Sequence, residues 1–108
     1  MSPIDFNELD TTVHGPLRLG ILTALQMDGP HNFTTLKKRL EASDGALGAH
    51  LQTLENQGYI VSRKAFVRRR PQTTYRLTPH GRKALARYLE ALGRLLDAMQ
   101  VRKRSASG

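Results

Sequence analysis

Three consecutive arginines, Arg68, Arg69 and Arg70, followed by Pro71, form the densest run of charge in the chain. Guanidinium groups stay protonated at any physiological pH and grip phosphate oxygens in a planar fork. Such a run therefore suits contact with a phosphate backbone, or entry into a narrow minor groove. The plain alternative is a solvated loop. A second set of residues has the opposite character. Within 44–57, Leu47, Leu51 and Leu54 fall on one helical stripe, about 60° wide. Away from that stripe lie Gly45, Ala46, Ala49, Gln52, Thr53 and Asn56, small or neutral where a solvent-facing helix usually carries Glu, Lys and Arg, with Asp44 at the very start. Small outer side chains let a helix enter a major groove, where Gln52 can bond adenine with two hydrogen bonds and Thr53 or Ala49 can meet a thymine methyl. Gly45 and Gly48 each cost a helix roughly 1 kcal/mol against alanine. Close backbone approach to DNA accounts for that cost; the alternative is that another helix packs tightly against them.

Weaker candidates surround these two groups. Lys37, Lys38, Arg39, Arg63 and Lys64 are placed to meet a phosphate backbone, and Thr34, Ser43 and Thr74 to donate to it, although helix capping alone explains Thr34 and Ser43. The histidines, His14, His31, His50 and His80, show neither paired spacing nor a carboxylate partner pattern, so no metal site is expected. No glycine-rich phosphate loop, Gly-x-Ser-x-Gly elbow or His-Glu-x-x-His motif occurs. The expectation is a protein without catalytic residues or cofactor.

The elements that must hold these side chains can be read from helix signals and strand propensity. Gly15-Pro16 opens a helix, since proline at its first position loses no hydrogen bond. Leu17, Ile21, Leu22 and Leu25 share one face, and Asp28-Gly29-Pro30 stops it. A short helix from Phe6 to Val13 is expected before it. Phe33 reads as a very short strand, and Thr34 as the cap of a second helix with Leu36 and Leu40 inward. Ser43 caps the third helix, 44–57, which Gly58 ends. Only Glu41-Ala42-Ser43 separates the second and third helices, a helix-turn-helix arrangement. Tyr59 to Val67 and Thr73 to Leu77 read as two strands of a hairpin. Residues 67–73 form its tip, long because Pro71 has no N–H to give a central strand. Thr78-Pro79 then opens a last helix, 78–99, and 100–108 reads as a basic, flexible tail. Residues 1–99 are thus one domain, mainly α with a small β-hairpin (α+β): a winged helix-turn-helix with a long C-terminal dimerisation helix.

Composition agrees. At 108 residues and 39% hydrophobic the chain supports one modest core. Residues 1–62 carry a charge balance of −3 and residues 63–108 one of +11, an asymmetry that points to a polyanionic partner, nucleic acid before membrane. Without cysteine there are no disulfides and no thiolate metal sites. No apolar run approaches a membrane span of about 20 residues, so a soluble, cytoplasmic protein is expected. In the last helix, Leu85, Tyr88, Leu89, Leu92, Leu95, Leu96 and Met99 continue a heptad-like stripe for two heptads. Its first part can cover the domain's own core. Its distal leucines need another partner, best supplied by the same helix of a second copy.

Two stretches resemble a known family. Gly45 to Ile60 resembles the recognition helix of MarR/ArsR/PadR-like winged-helix transcriptional regulators, and Arg69 to Leu85 resembles the wing and final-helix start of their compact, stand-alone members; Leu17 to Leu25 is similar to their first helix. The resemblance spans roughly 13–99. It implies a homodimer on double-stranded DNA with a pseudo-palindromic operator, usually a repressor that blocks polymerase. Two departures stand out: Gly48 replaces a serine common in relatives, and cysteine-based metal sensing has no residues to use. A winged-helix protein-interaction module is the competing reading, and general binding of RNA or nucleoid DNA a third.

Overall fold

Local chemistry sets where each element starts and stops. The computed structural model describes residues 9–107, with side chains as far as residue 100. The elements run α1 (Pro16–Asp28), β1 (His31–Asn32), α2 (Phe33–Leu40), α3 (Asp44–Asn56), β2 (Ile60–Val67), β3 (Arg70–Leu77) and α4 (Pro79–Ser107). Pro16 opens α1, and Gly29, at φ +82°, closes it with its N–H on the Leu25 carbonyl. Where a helix from Phe6 to Val13 is expected, the described part is a turn instead. Asp10 builds it: its carbonyl receives the N–H groups of Val13 and His14 and its carboxylate that of Thr12. Residues 6–8 lie outside the described residues.

The strand expected at Phe33 is displaced. It is His31–Asn32 that pairs with Tyr75 and Thr74, and Phe33 is already the first residue of α2. The cap is therefore Asn32, whose side-chain carbonyl accepts from Thr35 N–H at 2.7 Å, and not Thr34. Asn is as good a cap as Thr or better, and starting the helix two residues earlier packs Phe33 against the core. Ser43 caps α3 as expected, accepting from Ala46 N–H.

A larger correction concerns the hairpin. Its tip is not a long loop over 67–73: β2 and β3 pair all the way from Ile60–Leu77 to Val67–Arg70, leaving a two-residue turn, Arg68-Arg69. Both have positive φ, 53° and 67°, as the tight turn matching strand twist demands. Pro71 is accommodated by register. In a two-residue hairpin the pair flanking the turn exchanges both hydrogen bonds, so the next pair, Phe66–Pro71, exchanges none. The position lacking an N–H faces the edge of β3 that two-residue β1 does not reach. The sheet order is β1-β3-β2, all antiparallel.

Thr78 caps α4, accepting from Gly81 N–H at 2.9 Å while its hydroxyl donates to the Gly58 carbonyl. Gly81 is obligatory there, because any Cβ would fall on the backbone carbonyl of Tyr59. The helix continues past Met99, where the sequence reading ends it, to Ser107; nothing from 100 to 107 is glycine or proline.

The core gathers Ile21, Leu22 and Leu25 of α1, Leu36 of α2, Leu47, Leu51 and Leu54 of α3, Ile60 and Leu77 of the hairpin, and Leu85 of α4, all buried. Each such side chain contributes roughly 1.5–3 kcal/mol. Two polar ties add orientation: Arg18 Nε donates to His50 Nδ1 (3.2 Å), pinning α1 to α3, and the Tyr59 hydroxyl donates to Asp10 (2.5 Å). Burial and that carboxylate together push the Tyr59 phenol up to about 12. The Cα radius of gyration is 17.0 Å, against about 13 Å for a compact 100-residue domain. The excess comes from α4, which outruns the body it packs on.

Candidate nucleic-acid interface

Burial of Leu47, Leu51 and Leu54 turns the other side of α3 outward. Gly45, Ala46, Ala49, Gln52, Thr53 and Asn56 are exposed there, and Gly48 is half-buried at the flank. A Cβ built on Gly45 or Gly48 meets nothing within 4 Å. Packing of another helix of the same chain therefore does not explain either glycine, and the outer face of α3 stands open. Its polar groups are held locally: Gln52 Nε2 donates to Asn56 Oδ1 (2.9 Å) and the Thr53 hydroxyl to the Ala49 carbonyl (3.1 Å). Asp44, the acid at the head of this helix, is paired with Lys37 Nζ at 2.9 Å. The pair is solvent-exposed and worth at most about 1 kcal/mol, but it offsets negative charge on the approach to α3.

The wing supplies the opposite. Every residue from Arg63 to Pro71 is exposed. Lys37–Asp44 and Arg39–Asp28 form salt bridges outside the wing, and none among the described residues involves a wing cation. Arg63, Lys64, Arg68, Arg69 and Arg70 thus present cations uncompensated by an ion pair within that set. Strand alternation sorts them. Ile60 and Leu77 are buried, and the Ser62 hydroxyl donates to Glu55 of α3 at 2.7 Å. The face carrying Ile60, Ser62, Lys64 and Phe66 therefore turns toward α3. Arg63, Thr74 and Arg70 lie on the other face. Thr74 is flanked by β1 and β2, which sets it apart from α3's outer side. An open groove of about 820 Å³ runs between the head of α2 and the free edge of β3, lined among others by Asn32, Thr34, Arg68, Arg70, Pro71 and Thr73. It joins the arginines of the wing to the uncharged head of α2.

Of the weaker candidates, Lys38 is exposed, whereas Arg39 is held by Asp28 and donates to His31 Nε2 (3.1 Å). His31 in turn donates from Nδ1 to the Gly29 carbonyl (2.7 Å). The other histidines also sit singly, His14 on Tyr88, His50 on Arg18 and His80 against the Tyr59 ring, and no cluster of three metal-binding side chains occurs among the described residues. Sequence reasoning missed the exposure of Phe66, 80%, the highest among the large apolar side chains of the described residues. It also missed the strained two-arginine turn; alternation of Phe66 with its neighbours was the available signal for the first.

The arrangement is that of a winged helix-turn-helix DNA-binding protein. Residues 17–96 match the winged helix DNA-binding domain family, and the chain belongs to it. It is 35% identical over 57 residues to protein MJ0432 of Methanocaldococcus jannaschii, a match covering 53% of this chain and 62% of that protein, less than two thirds of the relative's length. Among solved structures it is similar to a transcriptional regulator homologue of Pyrococcus horikoshii, with a TM-score of 0.79 and 26% identity over 86% of this chain and 93% of the other. It is also similar to ytfH of Salmonella typhimurium, with a TM-score of 0.68 and 28% identity over 93% and 89% of the two chains. No helix among the described residues is long and apolar enough to cross a membrane.

Proposed function

We propose that the protein is a homodimeric transcriptional repressor that binds a pseudo-palindromic operator, with α3 in the major groove and the wing on the flanking backbone or minor groove. The observation that carries the reading is the pairing of an open, nearly uncharged α3 face with a wing of uncompensated arginines. A helix that merely faced solvent would not need to be bare, and a loop that merely aided solubility would not need two strained residues.

Support for the dimer comes from α4. Leu85 was expected at the interface, but it is 1% exposed and belongs to the monomer core together with Tyr88 and Ala91. The remaining stripe is cleaner for its loss. Leu89, Leu92, Leu96 and Met99 follow one another at 3-4-3 spacing, the seam of a coiled coil. Leu89, Leu96 and Met99 are 45%, 51% and 58% exposed, and Leu92 and Leu95 are half-buried. A second copy of α4 would cover them and set two α3 helices against successive half-sites, one helical turn of DNA apart.

The test has two arms. Duplexes selected by the protein from a random pool should bind more tightly than unselected ones, with steep salt dependence. In sedimentation the parent should be a dimer and Leu96→Lys/Met99→Lys a folded monomer, since neither side chain is in the core. Absence of duplex binding at low salt would favour a protein-docking role; a monomeric parent would remove the two-half-site operator.

A further inference from the structure

Resting on the DNA-binding reading above, we propose that Phe66, backed by Pro71, is an apolar wedge that enters the minor groove and bends the duplex, so that the wing shapes DNA as well as gripping it.

Phe66 is 80% exposed at the end of β2. A single apolar side chain on a surface is ordinary, but this one is not isolated. Its cross-strand partner is Pro71, also exposed, at a position where the pair exchanges no backbone hydrogen bond and side chains come closest. Proline's fixed ring and the adjacent turn stiffen the base from which the phenyl ring projects. Phe66 and Pro71 lie on the sheet face that turns toward α3, as the Ser62–Glu55 bond shows, so the ring and α3 are on the same side of the sheet. Lys64 shares its face, the turn residues Arg68 and Arg69 follow one residue further along the chain, and Arg70 flanks the tip on the opposite face. These cations select the occupant. An apolar protein surface would leave the cations beside the contact unpaired, whereas a minor groove offers phosphates on both walls and apolar sugar and base edges between them. Proteins that bend DNA combine the same parts, cations on the backbone and one Phe, Leu, Ile, Met or Pro pressed into a base step.

The roles are separable because they depend differently on salt. Arginines at phosphates act through counterion release, so they set the salt slope. A wedge releases no counterions and acts through stacking and bend, most readily at flexible TA steps. The experiment uses duplexes of about 30 base pairs, one rich in TA steps and one of A-tracts, labelled at both ends for energy transfer, with affinity measured across salt concentrations. Phe66→Ala should weaken binding of the TA-rich duplex about tenfold, with little effect on the stiff A-tract duplex and an unchanged salt slope, and should return the end-to-end distance to that of free DNA. Phe66→Leu should restore most of both. Thermal melting should be unaffected, since the ring is not in the core.

A Phe66→Ala protein that binds and bends DNA like its parent overturns the proposal while leaving the DNA-binding reading intact. So does a Phe66→Ala protein that has become monomeric, because the ring would then be covered by a second copy. A parent that binds neither duplex removes both readings together.

Discussion

The outer face of α3 and the wing are two exposed surfaces of one small domain, built on opposite principles. Behind α3 stand three buried leucines, a serine cap and the Arg18–His50 tie to α1; its face is small, nearly uncharged and unstrained. The wing has no core beneath its tip, carries five cations between residues 63 and 70, and closes on two arginines in left-handed conformation. The difference matches what each must do to DNA. Reading a base edge requires a donor and an acceptor held to within tenths of an ångström, which only packing supplies, and bulk or charge in the way costs contact. Phosphate attraction reaches several ångströms and tolerates a flexible lever. Position is provided where the core is, and charge where the core is not.

The harshest way to break this division is to put charge where position is required. Gly45→Glu places a carboxylate on the bare face of α3. Its Cβ meets nothing within 4 Å, and acids near a helix N-terminus are favourable, so the melting temperature should hardly move. Duplex binding should fall more than about a hundredfold, from steric obstruction of the groove and repulsion by phosphates. Anisotropy titrations beside thermal melts check both halves. Binding near the parent's level would mean that α3 does not enter the groove.

The wing invites the reverse experiment, in which stability rises as binding falls. Asn-Gly is the relaxed choice for a two-residue turn of this type, while arginine in the left-handed region costs about 1 kcal/mol or more per residue. Arg68→Asn/Arg69→Gly should therefore stabilise the fold by about 1–2 kcal/mol, a rise of several degrees in melting temperature for a domain of this size. If each arginine meets a phosphate and two wings engage, the log–log salt slope should shrink by about 4. A stabilised variant with the parent's slope would show the strain to be unrelated to DNA.

These two surfaces were not equally legible in the sequence. The boundaries of α1 and α3 follow from Pro16, Gly29, Ser43 and Gly58, whose effects are local, and the face of α3 follows from its leucine stripe. The turn was misread because Arg-Arg is neither Asn-Gly nor glycine-rich; only the register of the two strands, a non-local property, fixes it. Pro71 misled for the same reason. Missing an N–H matters only if the position faces a partner strand, and the shortness of β1 decides that. Asn32 and Thr34 are both competent caps, and the packing of Phe33 chose between them. In α4 the heptad pattern was visible, but where the monomer's claim on it ends depends on the size of the core, which hands Leu85 to the monomer and leaves Leu96 and Met99 outside.

Within α3 itself the comparison sharpens to one amide. Gln52→Ala should cost about 1–3 kcal/mol of discrimination between a selected duplex and random DNA, if Gln52 bonds a base through both its donor and its acceptor. Loss of a wing cation at a phosphate, by contrast, should weaken both duplexes alike.

The smallest expected effect tests whether Gln52 is prepositioned. An amide nitrogen carries two protons; in the free protein one is given to Asn56 Oδ1 at 2.9 Å. The other, together with the carbonyl oxygen, remains available for the paired acceptor and donor of adenine. Asn56 then acts by limiting the rotations of an exposed side chain before DNA arrives, without touching a base itself. Asn56→Ala should lose only the worth of one exposed hydrogen bond and some rotamer entropy, about 0.5–1 kcal/mol of discrimination, with the salt slope unchanged. The double variant Gln52→Ala/Asn56→Ala should discriminate no worse than Gln52→Ala alone, because there is no amide left to orient. A double-mutant cycle measures that failure of additivity directly. Strict additivity of the two losses would mean that Asn56 makes its own contact with DNA, and that the reading surface of α3 extends one turn further than the Gln52 contact alone requires.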